Sequence, residues 1–215
     1  YEMSASLVGS EMCIRDSDGR AARVMLDNDK VKEIEKYYAQ CEQEGANEYQ
    51  IEESQKAVAK MEAIIGDPDI LRAVAEDFIN HYETRVREGA TVAGKALFVC
   101  ANRYIAYDFY KIVTELRPEW AEKKICSDDV ILDDKDKKEL KPMEKIKLVM
   151  TRNKDDEKDL FDMLGTKDDR KEFDRQFKNP KSNFKIAIVV DMWLTGFDVP
   201  ELDTIYIDKP IQQHT

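Results

Sequence analysis

The stretch Lys185-Ile-Ala-Ile-Val-Val-Asp-Met-Trp-Leu-Thr-Gly-Phe-Asp-Val-Pro200 decides the fold. Ile186 to Val190 is an unbroken apolar run with no polar face. Such a run reads as a strand buried on both sides, as in a parallel sheet. The residues after it set a glycine and a carboxylate two apart, where open α/β sheets hold their ligands. Gly196 permits close backbone approach. Asp198 can accept a hydrogen bond from a ribose hydroxyl or an arginine. Taken alone, G-x-D-x-P also fits a plain strand exit.

Working outward, Thr204 to Asp208, Ile146 to Met150 and Ala96 to Cys100 read as three more strands. Helical patterns separate them: Tyr104 to Leu116, stopped by Arg117-Pro118, and Asp155 to Leu164 and Lys167 to Phe177, split by Gly165. Strands alternating with helices predict a parallel α/β sheet with right-handed crossovers. Residues 127–145 are dense in Asp and Lys and read as a solvated insertion.

Upstream the pattern is helical throughout. Val31, Ile34, Tyr38 and Cys41 share one face, as do Ile51, Val58, Met61 and Ile65. Asp67-Pro68 is an N-cap followed by proline at the first helical position. The helix it opens carries Ile70, Leu71, Val74, Phe78, Tyr82 and Val86 to Gly89. Residues 1–22 have no clean period, and Ser6 to Ser17 resembles translated sequencing-adapter sequence. They are read as non-native or disordered and set aside. The expected organisation is a helical segment over 23–90 and an α/β lobe over 91–215. The chain stops seven residues past Asp208. The lobe is therefore expected to be truncated, because a parallel sheet wants helices on both faces.

The 215 residues include 45 acidic and 34 basic ones, a net charge of −11. That field repels a phosphate backbone, so contact with nucleic acid must be local. No apolar run approaches the ~18 residues that span a bilayer, so no membrane partner is expected. The four cysteines are scattered without a C-x-x-C pair, and there are only two histidines. A Cys/His metal site is therefore not expected, and the setting reads as reducing and cytoplasmic. Asp108 with Glu122-Lys-Lys124 mimics a nuclease pattern. Its carboxylates straddle a helix and the Pro118 break, so it reads as chance spacing in a charged chain. His81, beside an apolar stripe, reads as structural. His214 follows a strand end, where it could approach nucleotide or DNA. Trp193 reads as packing under its loop rather than stacking on a base.

Ile188-Val-Val-Asp-Met-Trp-Leu-Thr-Gly-Phe-Asp-Val-Pro200, with Thr204-Ile-Tyr-Ile-Asp-Lys-Pro210, resembles motif V of the motor (R) subunit of type I restriction-modification enzymes. These are helicase-like DNA translocases of superfamily 2. Ala96 to Pro118 resembles the motif IV strand and helix of that subunit, and a looser likeness runs from about Arg23 to Thr215. The resemblance implies a fragment covering the second RecA-like lobe. Gly196 and Asp198 match the nucleotide-side positions. Asn102, Arg103, Thr151, Arg152 and Thr195 lie where such lobes meet the DNA backbone. Asp191, Met192 and Trp193 would couple the two. The implied cofactors are ATP and Mg²⁺, bound by the complete two-lobe motor. The implied partners are duplex DNA, the missing first RecA-like lobe, and the modification and specificity subunits. No G-x-x-x-x-G-K-[ST] loop and no convincing Mg²⁺-binding acidic motif occurs in the chain. The fragment alone is therefore expected to be inactive. Val190 stands where general helicases often have a threonine, which favours the restriction family over another superfamily 2 translocase. A non-enzymatic acidic interaction module is the remaining alternative.

Overall fold

The computed structural model describes residues 56, 59–127, 130–193 and 198–209. The expected helix over 29–44, Cys13, Cys41 and His214 lie outside them. Residues 59–65 are helical and end at Gly66. Asp67 then caps α1 (Pro68–Arg87): its Oδ1 accepts from Asp69 N at 3.1 Å and Ile70 N at 3.3 Å. Two of the helix's orphan N–H groups are satisfied in this way, as the Asp-Pro pair predicts. The buried stripe of α1 is Leu71, Ala75, Phe78, Ile79 and Tyr82. Ala75 and Ile79 replace the expected Val74 and Val86 at its centre, and Val86 is exposed.

The next elements are β1 (Lys95–Cys100), α2 (Arg103–Leu116), a 3₁₀ turn (Pro118–Ala121), the short α3 (Asp136–Glu139) and β2 (Ile146–Leu148). They are followed by α4 (Lys158–Leu164), α5 (Lys167–Lys178), β3 (Ile186–Val189) and β4 (Leu202–Asp208). Gly165 has φ +65°, which lets the chain turn sharply from α4 into α5. Thr166 and Asp169 then form a reciprocal capping box.

The four strands form one parallel sheet in the order β2-β3-β1-β4. All residues of β1, β2 and β3 are buried, Lys95 and Lys147 among them, so the sheet is covered on both faces. Side chains alternate between two cores. On one face Ala96, Phe98, Cys100, Ile146, Leu148, Ile186 and Ile188 pack with α1, α2 and α4. On the other, Leu97, Val99, Ala187 and Val189 pack with Phe177, Phe184, Met143 and Val199. A register shift at Lys95/Ala96 places Leu202 on the second face while Tyr206 stays on the first. The architecture is α/β and RecA-like.

The reading of 127–145 as wholly solvated fails at its C-terminal end. Lys124 and Met143 form an antiparallel bridge, and Leu140 and Met143 are buried. The buried Gln176 amide holds this strap: Nε2 donates to Glu139 O at 2.9 Å, and Oε1 accepts from Lys141 N at 3.3 Å. Apolar residues spaced within a charged run anchored it, and overall composition hid them.

Candidate functional site

Parallel strands send their carboxyl ends to one edge of the sheet, and four loops gather there. The loop after β3 has the largest task. It leaves β3, crosses β1 on the second face, and enters β4 on the far side of β1. Asp191 is exposed and accepts from Lys209 Nζ at 3.2 Å, which ties the ends of β3 and β4 together. Met192 and Trp193 are half-buried against the second core. The Trp193 ring stacks on Phe177, with centroids 5.3 Å apart and planes 27° apart. Packing, the expected role, is what the structure shows for this side chain. Thr195 and Gly196 lie outside the described residues. Asp198 is exposed, and Val199 beside it is buried.

Across the edge, Asn102 caps α2. Its Oδ1 accepts from Tyr104 N and Ile105 N, and its Nδ2 donates to Glu62 Oε2 at 3.1 Å. Arg103 forms a fork with Asp156, Nη2 lying 2.6 Å from each carboxylate oxygen, and also donates to Thr151 O. Asp156 Oδ2 accepts from Asn153 N at 2.7 Å. One carboxylate thus locks the start of α2 to the loop after β2. Thr151 is exposed. The Arg152 guanidinium lies 4.4 Å from the Phe161 ring centroid, and its Nε is buried with no hydrogen-bond partner among the described residues. A buried donor without a partner is costly unless something else accepts from it. Arg103 thus joins the start of α2 to Thr151, while the Arg152 side chain lies over Phe161 of α4. Asn102 and Arg103 already serve the fold.

Two groups were not singled out from the sequence. Asp208 ends β4 with its Oδ2 buried and without a partner among the described residues. Burial pushes its carboxyl up to about 6. Asp156 was hidden because its partner, Arg103, is 53 residues away. The only advance signal for Asp208 is a carboxylate closing an apolar strand. The folded state holds the Asp208 proton more tightly than the unfolded chain does, so its ionisation lowers stability as pH rises through about 6. Asp208→Asn is expected to melt higher than wild type at pH 7, by about 1–3 kcal/mol, with the gap closing towards pH 4. Thermal melts at the two pH values check this.

His81 Nδ1 lies 2.8 Å from the Tyr206 hydroxyl, beside a cavity of about 180 Å³ between α1 and β4. That contact gives it the structural role expected. Among the described residues no three His, Cys, Asp or Glu side chains converge as a metal site, and no helix is long and apolar enough to cross a membrane.

Comparison with known proteins supplies the family. The family model for domain 3 of the type I restriction enzyme R subunit matches residues 92–215. The HindI type I restriction enzyme endonuclease subunit of Haemophilus influenzae is 32% identical over 163 residues, covering 76% of this chain and 14% of that protein. Two Methanocaldococcus jannaschii proteins, named for the type I restriction enzyme endonuclease subunits MjaIXP and MjaVIIP, also match. The first is 36% identical over 172 residues, 79% of this chain and 14% of the relative. The second is 26% identical over 205 residues, 93% of this chain and 18% of the relative. The chain thus spans less than a fifth of the length of these relatives. No solved structure matches it. A parallel four-stranded lobe whose β3–β4 loop carries D-M-W-L-T-G-F-D, matched over more than half its length by this model, belongs to the R-subunit family of type I restriction enzymes.

Proposed function

We propose that this lobe is one wall of an ATP-driven motor that moves duplex DNA before a type I restriction endonuclease cuts it. The observation that carries the reading is the β3–β4 loop of an R-subunit family member, which leaves the carboxyl end of β3 and passes β1 to reach β4. A loop so placed links a nucleotide at one end to a DNA track at the other. Asp198, exposed, is free to accept from ribose hydroxyls, and Gly196 allows the approach. Asn102, Arg103, Thr151, Arg152 and Thr195 form the track. Such contacts position a backbone without reading bases. Asp191 to Trp193 couple the two ends.

ATP supplies the free energy when it is bound between this lobe and a first one, with Mg²⁺ beside its phosphates. We assign the ligands for that ion to the first lobe. The 215-residue chain is inactive alone. The complete subunit works in the cytoplasm with modification and specificity subunits, and the specificity subunit chooses the DNA site. The test is translocation. The complete subunit, assembled with its partners, is expected to displace a third strand annealed downstream of the recognition site, and only with ATP. Cleavage with no ATP-dependent displacement overturns the motor reading.

A further inference from the structure

Trp193 has φ +65°, the one non-glycine positive φ among the described residues. A bulky side chain in that region is strained, and such strain persists only where the surroundings over-determine it. Here the constraint is the Phe177 ring of α5. Phe177 is fully buried, stacked with Trp193 on one side and 5.0 Å from Phe184 on another. Lys95 Nζ sits 5.1 Å from its centroid and donates to Phe184 O, which fixes the group from below. Beyond Trp193, five residues lead to Val199, which is buried in the same core. Asp198, next to Val199, therefore sits at one end of a short span whose other end is Trp193, and both ends pack in the same core. The anchor at Trp193 depends on α5, a strongly charged helix that buries only Gln176 and Phe177.

We infer that Phe177 is a positioning residue for the nucleotide-side loop, acting through Trp193, so that a shift of α5 moves Asp198. This rests on the motor reading above. In the complete subunit, Phe177→Met fills the space but removes the stack. It is expected to raise KM for ATP in the DNA-stimulated ATPase reaction on the order of tenfold, since small misplacements of a binding group are costly. Trp193→Ala should match Phe177→Met, and the double variant should be no worse than Trp193→Ala, because both single changes remove the same ring contact.

An unchanged KM in Phe177→Met, or losses in kcat/KM that multiply in the double variant, overturns the inference. A wild-type subunit with no DNA-stimulated ATPase activity overturns the motor reading instead. To guard against misfolding, Trp193 fluorescence is read in the 215-residue chain with Trp120→Phe. Phe177→Met should shift the emission, and an unshifted spectrum contradicts the stack.

Discussion

Phe78→Ala is expected to cost about 3–5 kcal/mol of folding stability, the range for truncating a fully buried aromatic. Phe78 is 2% exposed and central to a ring cluster that joins α1 to four other elements. Its centroid lies 4.8 Å from Tyr206 of β4, 5.1 Å from Phe98 of β1, 5.6 Å from Phe109 of α2 and 6.3 Å from Trp120 of the 3₁₀ turn. Three of these contacts are edge-to-face at 78–89°, a favoured geometry that adds to the burial itself. The cavity left by truncation would lie beneath α1, where rigid strands limit collapse. Urea unfolding of the 215-residue chain measures the loss. A cost below about 1 kcal/mol would mean that α1 contributes little to the sheet's core.

Lys95→Met is expected to stabilise the protein at pH 7 by about 2–4 kcal/mol, and to do so less as pH rises. Lys95 is 1% exposed at the start of β1. Burial, with the nearby Lys185 charge, pulls its amine down to about 6. Between that value and the ordinary lysine range, the unfolded chain binds a proton that the folded chain does not. Stability therefore rises with pH across that window. The wild type should gain about 1.4 kcal/mol per pH unit relative to Lys95→Met between pH 7 and 9. Part of the benefit of methionine is offset, because Phe184 O loses the 2.6 Å hydrogen bond from Nζ. Paired denaturation curves at pH 7, 8 and 9 decide it, and parallel lines for the two proteins contradict a neutral buried amine.

The strands were legible because parallel strands buried on both faces must be unbroken apolar runs, and Ala96–Cys100 and Ile186–Val190 are such runs. Their order was not legible. Nothing local in Thr204 to Asp208 says that β4 lies beside β1 rather than β3. That follows from a loop crossing the second face, held by Trp193 and Val199. Local signals again served well at Asp67-Pro68 and Gly165, where the backbone requirement and the residue coincide. At Asn102 and Arg103 they showed nothing of the contacts these residues make within the fold. A polar turn at a strand's carboxyl end suggests a phosphate contact, yet Asn102 caps α2 and Arg103 pairs with the distant Asp156. The family was legible from one octapeptide, Asp191 to Asp198. The support behind it, Phe177 in particular, was not, because aromatic packing partners leave no spacing in the sequence.

The central claim is that the β3–β4 loop serves an ATP-driven motor. Its most direct test is the DNA-stimulated ATPase activity of the complete R subunit carrying Asp198→Ala, assembled with its modification and specificity subunits. Removing an exposed carboxylate should leave the lobe's melting temperature within about 1–2 °C of wild type. Hydrolysis at sub-saturating ATP should fall on the order of tenfold or more, as for loss of a charged hydrogen-bonding group worth about 1.5–3 kcal/mol. Wild-type hydrolysis by a folded Asp198→Ala subunit would contradict the account.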